Sequence, residues 1–246
     1  MWRTIGASVI GTSHVAAETR CQDHSAYAVV ERPGGDALVI AVSDGAGSAK
    51  ASFHGARTAV EAAIAHLTDA LAGGGAPDVA AMEACFAAAR ERVLAVAAEY
   101  EHEAREYAST LLVVVATSSA TTVGQIGDGA IVVDDGELRA ATWPQQGEYA
   151  NTTHFLVDGD ALERLVTAAC GPARCVAVFS DGLQNLALRY DTRTPYEPFF
   201  APFFAYLASA TKPDAEVEDE LRAYLDSPAL NARTDDDKSL VLAVRR

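Results

Sequence analysis

Apolar and polar residues follow two different patterns along this chain. Short apolar runs bounded by glycine, proline or aspartate are typical of buried strands. Alanine-rich segments with apolar residues three and four positions apart are typical of helices. The first pattern predicts strands over residues 5–13, 26–30, 38–43, 110–116, 121–126, 130–133, 138–141, 175–180 and 240–244.

The second pattern predicts two long helices that follow one another. They cover residues 52–71 and 78–106, and Gly73-Gly74-Gly75-Ala76-Pro77 separates them. Asp78 is placed to cap the second helix at its N-terminus. Because the break between them is short, we expect the two helices to pack as antiparallel neighbours.

Later segments complete the order of elements. Residues 142–174 show only a weak strand or helix pattern and indicate an irregular insertion. The proline- and aromatic-rich stretch 195–204 precedes a helix that ends near Asp226. Helices grouped between blocks of strands favour an α+β fold, in which antiparallel sheets are covered by helices. No linker divides the chain, so we expect one domain spanning residues 1–246.

Composition narrows the class of protein. Half of the 246 residues are apolar and 22% are charged, a balance typical of a globular protein with a substantial core. The net charge of −15 argues against nucleic acid or an anionic membrane as a partner. There is no transmembrane-length apolar run and no signal-peptide pattern at the N-terminus. We therefore expect a cytoplasmic protein, and a monomer.

The four cysteines do not suggest a metal site. Cys21, Cys85, Cys170 and Cys175 form no C-x-x-C pair and lack zinc spacing. They are expected to be reduced thiols, with Cys85 packed on a helix.

Aspartates at strand ends are the candidate chemistry. Two predicted buried strands end in the same tripeptide, which is Ser43-Asp44-Gly45 in one and Ser180-Asp181-Gly182 in the other. A third predicted strand is preceded by Asp235-Asp236-Asp237. Carboxylates that distant segments bring together suit hard cations such as Mg²⁺ or Mn²⁺. These segments therefore predict a cation site.

A single Asp-Gly is more often a hairpin turn than a site. Asp135-Gly136 fits that reading, because polar residues flank it between two strands. Asp44, Asp128 and Asp181 differ, since each follows an apolar strand within a residue or two. Asp23, which follows Gln22 at a strand boundary, is a further candidate.

Three other hydrolytic or phosphate-binding patterns are missing. The chain has no H-E-x-x-H, Ser180 does not lie in G-x-S-x-G, and the triple glycine lacks the Lys-Ser/Thr of a phosphate-binding loop. These absences argue against a zinc hydrolase of that type, a nucleophile elbow and a P-loop.

Taken in order, five segments resemble the metal-dependent protein phosphatase 2C family, in a bacterial-like form. The resemblance spans nearly the whole chain. It rests on Asp44-Gly45-Ala46-Gly47 (D-G-x-G in the family), Ala108-Ser109-Thr110 (G-S-T), Gly127-Asp128-Gly129 (G-D-S), Phe179-Ser180-Asp181-Gly182, and Asp236-Asp237-Lys238-Ser239 (D-N-x-[ST]).

The resemblance implies a four-layer α-β-β-α sandwich and a signalling hydrolase. Two Mn²⁺ or Mg²⁺ ions, and possible room for a third, would activate a water that attacks phosphorus in phosphoserine or phosphothreonine of a protein. The resemblance implies that Asp44 bridges two ions, with the Gly45 carbonyl as an additional ligand. Asp181 and Asp236 would hold one of these ions, and Asp23 would lie at the edge of the other site. Asp128 would hold the third ion. Asp44, Asp181 and Asp236 would thus be catalytic.

The chain also departs from the family pattern. Gln22 replaces a frequent Glu, Ala46 replaces a general-acid His found in some relatives, and the phosphate-clamping Arg would fall near Glu18. Arg20, His14 or Lys50 are the candidates to bind phosphate instead, and the sequence does not choose among them. The register of the closing segment is equally open among Asp235, Asp236 and Asp237.

Two alternatives to a protein phosphatase stay open, and the departures motivate the first of them. One is a catalytically weak or inactive module that keeps the fold and serves in regulation or binding. The other is a metal-dependent hydrolase that acts on small phosphoesters.

Overall fold

The computed structural model describes residues 1–32, 34–145 and 153–246. Its strands are β1 (Trp2–Val9), β2 (His24–Val30), β3 (Ala37–Ser43), β4 (Leu111–Ala116), β5 (Thr121–Ile126), β6 (Ala130–Asp134), β7 (Leu138–Thr142), β8 (Val166–Cys170), β9 (Cys175–Phe179), β10 (Leu188–Arg189), β11 (Thr194–Pro195) and β12 (Lys238–Arg245). Its helices are α1 (Thr12–Ala16), α2 (Ser52–Ala72), α3 (Val79–Glu99), α4 (Gln184–Ala187), α5 (Glu197–Ser209), α6 (Asp214–Leu225) and α7 (Pro228–Asn231). Short 3₁₀ turns cover Ala104–Tyr107 and Asp181–Leu183.

The strands form two five-stranded antiparallel sheets and one short ribbon. The sheet orders are β1-β12-β9-β6-β7 and β2-β3-β4-β5-β8, and β10 pairs with β11 in the ribbon. Side chains alternate between the two faces of a strand. In β4, Leu111 and Val113 face the core formed with α2 and α3, whereas Leu112 and Val114 face the core between the sheets. Both faces are thus buried, which explains the continuous apolar runs.

The other sheet is covered on its outer face by the late helices. Phe199 and Phe200 of α5 and Leu221 of α6 pack with Leu240 and Leu242 of β12. The layers therefore run α-β-β-α, and the expected α+β sandwich is confirmed. The proline- and aromatic-rich stretch becomes part of α5, with Pro202 inside the helix.

Some predicted boundaries were wrong. Strand β1 ends at Val9 rather than at residue 13, because α1 begins at Thr12. Helix α3 ends at Glu99 rather than at residue 106, and Glu101 then takes a left-handed φ of 56°. A left-handed residue cannot continue a right-handed helix.

The weak segment 142–174 is not irregular throughout. Its second half contains β8, an edge strand that pairs with β5. No apolar run marked this strand, because its side chains are exposed or only half-buried. Residues 146–152 of the predicted insertion lie outside the described residues.

The predicted cap at Asp78 and the predicted packing of Cys85 on a helix are confirmed. The Asp78 carboxylate caps α3 by accepting a hydrogen bond from the Ala81 N–H at 2.9 Å. The cysteines are unpaired, and Cys85 is buried on α3. Across the described ranges, no helix is both long and apolar enough to cross a membrane.

Candidate metal centre

Strand register brings the predicted aspartates to one end of the sandwich. His24 at the start of β2 pairs with Ser43 at the end of β3, which places Asp23 beside Asp44. Ala130 at the start of β6 pairs with Phe179 at the end of β9, which places Asp128 beside Asp181. The antiparallel ladders therefore assemble acids that lie far apart in sequence.

Three of these carboxylates form one cluster. Asp44, Asp128 and Asp181 each offer an oxygen, and the three oxygens lie within 4.8 Å of one another. Among the described residues, no arginine or lysine forms an ion pair with any of them. Such a cluster has the oxygen chemistry that Mg²⁺ or Mn²⁺ binds.

Two buried oxygen atoms of the segment that precedes β2 lack a partner among the described residues and suit a cation. Asp23 is 3% exposed; its Oδ2 accepts a hydrogen bond from Ser180 Oγ at 2.7 Å. Its Oδ1 and the Gln22 Oε1 have no hydrogen-bond partner within the described part of the chain. Leaving buried polar atoms unpaired is costly, so a cation or its water ligands would satisfy them.

Burial and mutual repulsion make these acids hard to ionise without a cation. Burial raises the pKa of Asp44 well above its usual range, and the charges of Asp23 and Asp181 raise it further. Burial, followed by the charges of Asp128 and Asp236, raises the pKa of Asp181 to about 8. Burial raises the pKa of Asp23 to about 7, although the Ser180 hydrogen bond opposes the shift. A divalent ion would reverse these shifts.

The closing segment gives its three aspartates different environments. Asp237 is 2% exposed, and its two carboxylate oxygens accept hydrogen bonds from the backbone N–H groups of Gly11 and Gln22, both at 2.6 Å. Asp235 is exposed and accepts a hydrogen bond from Ser13 through its backbone carbonyl. Asp236 is exposed, and its charge raises the pKa of the cluster acids Asp44 and Asp181. Asp237 thus holds the backbone together, while Asp236 adds charge to the centre.

The loop that carries Asp44 is fixed by the segment before β4. The Asp44 N–H donates to Thr110 Oγ1 at 2.9 Å, and the Thr110 N–H donates to the Asp44 carbonyl at 2.8 Å. A Cβ on Gly45 would lie 2.8 Å from the Ser52 Cβ and 2.9 Å from the Gln22 carbonyl oxygen. This close approach explains why glycine follows Asp44.

A buried glutamine fixes the turn that carries Asp128. Gln125 Nε2 donates to the carbonyls of Gly127 and Gly129, both at 2.9 Å, and to the carbonyl of Trp143 at 3.2 Å. Sequence reasoning missed Gln125, although an amide inside a predicted strand was a usable signal.

Two more supporting residues were missed. Ser180 belongs to a recognised motif, but its bond to Asp23 is a tertiary contact without a sequence signal. Lys238 is fully buried, and its Nζ donates to Asn231 Oδ1 at 3.0 Å and to the Asp236 carbonyl at 3.2 Å. It holds the backbone that carries Asp236.

The three candidates for phosphate binding lie in different surroundings. His14 Nδ1 lies 2.9 Å from Asp237 Oδ2, although the ring N–H is not aligned for a hydrogen bond. The Arg20 guanidinium lies over the Phe53 ring, 5.1 Å from its centroid. Lys50 lines a groove beside α2 and α3. Of the three, only His14 contacts the closing segment.

Comparison with known protein families identifies the class to which this fold belongs. The model of the family described as Protein phosphatase 2C matches residues 10–226. The chain belongs to the protein phosphatase 2C family.

Named relatives are consistent with this assignment. The chain is 42% identical over 252 residues to Serine/threonine-protein phosphatase 3 of Escherichia coli (strain K12), covering 99% of this chain and 98% of that protein. The structure of the Serine/threonine phosphatase Stp1 from Staphylococcus aureus has a TM-score of 0.64 at 12% identity, covering 100% of this chain and 96% of Stp1. The structure of the catalytic domain of the serine threonine protein phosphatase PstP in complex with 2 manganese ions has a TM-score of 0.60 at 18% identity. The match covers 99% of this chain and 97% of the PstP chain. The two structural likenesses show a shared fold.

Proposed function

We propose that this protein is a Mn²⁺- or Mg²⁺-dependent phosphatase that hydrolyses phosphoserine or phosphothreonine in proteins. The observation that carries the proposal is the cluster of Asp44, Asp128 and Asp181, whose oxygens lie within 4.8 Å of one another. Family membership and the name of the Escherichia coli relative support the reaction. We further propose that it acts as a single-domain, cytoplasmic monomer.

The ligand assignment is part of the proposal. Asp44 would be shared by two ions, Asp181 and Asp236 would complete one site, and Asp128 would hold a third, looser ion. The Gly45 carbonyl, Asp23 and the buried Gln22 Oε1 would serve the second site. Bound divalent ions neutralise phosphoryl oxygens and lower the pKa of a water. The chain contributes position: Thr110, Gln125 and Ser180 fix the loops that carry these acids.

A substitution of the bridging acid tests the assignment. With Mn²⁺, Asp44→Asn should lower turnover of an aryl phosphate by at least about a hundredfold, because a central charge of the site is lost. EDTA should have a similar effect on the wild type. Asp135→Asn is the matched control, since it alters an Asp-Gly dipeptide in the β6–β7 turn, where the carboxylate pairs with Arg139 outside the cluster. Turnover that is unchanged both by EDTA and by Asp44→Asn would refute the proposal. Binding of Mn²⁺ without any turnover would indicate the non-catalytic regulatory or binding module.

We also propose that His14 contacts the phosphate of the substrate. Its contact with Asp237 holds it next to the segment that carries Asp236. His14→Ala should raise the inhibition constant of inorganic phosphate about tenfold, equivalent to about 1.4 kcal/mol. Arg20→Ala and Lys50→Ala should change it less. If Arg20→Ala or Lys50→Ala raises the inhibition constant more than His14→Ala does, the phosphate contact belongs to that residue and not to His14.

A further inference from the structure

A short ribbon stands beside the acidic centre and carries an unusual group of side chains. Tyr190 and Arg193 lie on the β10–β11 hairpin, and Trp143 follows β7, against which the hairpin packs. The Trp143 and Tyr190 rings meet edge to face with centroids 5.5 Å apart. The Arg193 guanidinium lies over the Trp143 ring, 5.6 Å from its centroid. We call Trp143, Tyr190 and Arg193 the aromatic shelf.

The shelf is tied to the elements that carry the cluster acids. The Tyr190 hydroxyl donates to Gln184 Oε1 at 2.5 Å, and Gln184 follows the 3₁₀ turn that begins at Asp181. The Trp143 carbonyl accepts from Gln125, the amide that fixes the Asp128 turn. Burial and then the charges of Asp128 and Asp181 raise the pKa of Tyr190. The aromatic shelf therefore lies at the edge of the acidic centre.

Backbone strain and exposure distinguish the shelf from ordinary packing. Arg193 takes a left-handed φ of 53°, a conformation that is unfavourable for residues with a side chain. Arg193 is exposed and Tyr190 is 42% exposed, so their contacts leave much of both side chains facing solvent. Exposed tyrosine and arginine are among the residues that dominate protein interfaces.

The charge of the ribbon points to the partner. The whole chain has a net charge of −15. The segment 188–195 instead carries two arginines, Arg189 and Arg193, against one aspartate, Asp191. A local positive charge at the rim of an acidic centre attracts acidic side chains that the rest of the surface repels.

We propose that the aromatic shelf binds the residues of a phosphoprotein that flank the phosphorylated serine or threonine, and that Arg193 selects acidic side chains there. The inference rests on the proposed function, because the phosphorylated residue must occupy the centre for its neighbours to reach the shelf. The Tyr190 ring supplies apolar contact to the peptide, the half-buried Trp143 ring supports Tyr190 and Arg193, and Arg193 supplies an ion pair and its specificity.

Two phosphopeptides that differ only in charge test the shelf. Both share one sequence, with glutamates flanking the phosphoserine in the first and glutamines in the second. With the Mn²⁺-loaded enzyme, Arg193→Gln should lower kcat/KM for the glutamate peptide roughly three- to tenfold, as expected for loss of one exposed ion pair and cation–π contact. Turnover of the glutamine peptide and of an aryl phosphate should stay within about twofold.

Two further variants isolate the binding role. Arg193→Gly removes the guanidinium but suits the left-handed backbone, so it should lose the same preference without loss of thermal stability. Arg245→Gln is the matched control, since Arg245 lies over Trp2 at the opposite end of β12 from Asp236. Equal effects on both peptides, or none, would overturn the inference.

The proposed function can fail separately from the shelf. If the wild type turns over neither peptide nor the aryl phosphate, the phosphatase assignment fails. Binding of the labelled glutamate peptide, measured by fluorescence anisotropy, then decides the shelf on its own. Weaker binding by Arg193→Gln than by Arg245→Gln would support it, and equal binding would refute it.

Discussion

Ser180, at the end of β9, is linked to Ser239 of β12 and to Asp23 through a single hydroxyl. Its Oγ donates to Asp23 Oδ2 at 2.7 Å and accepts from the Ser239 N–H at 2.9 Å, and the residue is 1% exposed. The hydroxyl thus satisfies a buried carboxylate oxygen and a buried amide at once. Without it, both groups would be left unpaired in the interior.

Ser180→Ala should therefore destabilise the protein by about 1–3 kcal/mol, the cost of leaving buried polar groups unsatisfied. Urea unfolding of the metal-free protein measures the change. Ser209→Ala is the control, because its exposed hydroxyl bonds only to carbonyls of its own helix. A change no larger than that of Ser209→Ala would show that the Ser180 hydroxyl is not a structural link.

Residue identities at the centre were predictable where a strand pattern pointed to them. Asp44 and Asp181 end buried runs, and the structure brings them together as expected. The register among Asp235, Asp236 and Asp237 was not predictable. Three adjacent acids look alike in sequence, and only the tertiary contacts of Asp237 with Gly11 and Gln22 separate them.

At the scale of elements, the closing segment passes between two glycines that lie far apart in sequence. A Cβ on Gly182 would lie 2.0 Å from the Asp237 carbonyl oxygen, and one on Gly11 would lie 2.3 Å from the Asp235 carbonyl oxygen. Both contacts are with backbone, which cannot rotate away. These two glycines therefore permit the close approach that positions Asp236.

Gly182→Ala should displace the closing segment and weaken Mn²⁺ binding by about tenfold or more, together with a loss of stability of about 1–3 kcal/mol, typical of overpacking. Calorimetric titration with Mn²⁺ and urea unfolding measure the two effects. Gly159→Ala is the matched control, because no atom lies within 4 Å of its added Cβ. Equal Mn²⁺ affinity in the two variants would contradict the packing argument.

Elements differ in how well their pattern predicts them. The strands β3, β4 and β9 are buried on both faces, so their apolar runs predict them directly. The edge strand β8 is held by its pairing with β5, and its partly exposed side chains leave no such run. Pairing with a neighbour is a tertiary property, which explains why β8 was missed.

At the scale of the whole molecule, the acidic centre opposes folding when no cation is present. Burial and neighbouring charges raise the pKa of Asp23 to about 7 and that of Asp181 to about 8 in the folded protein, from an ordinary value of 3.8. Between about pH 4 and pH 8 the folded state thus holds more protons than the unfolded state. Its stability must fall as pH rises through this window, because folding then requires buried charges.

The thermal stability of the metal-free protein should therefore decline from pH 5 to pH 8, and Mn²⁺ should restore it more strongly at the upper end. Ligand binding to the folded state stabilises it by about 2.7 kcal/mol at a hundredfold excess over the Kd, and Mn²⁺ competes with protons for these carboxylates. Thermal melts in EDTA and in Mn²⁺ across this range measure both trends. Asp44→Asn should weaken the pH dependence of the melting temperature in EDTA, since it removes one of the repelling acids. It should also weaken the stabilisation by Mn²⁺, since it removes a ligand. A melting temperature in EDTA that rises with pH would mean that these acids do not destabilise the folded state, and the cation would then have no charge repulsion to relieve.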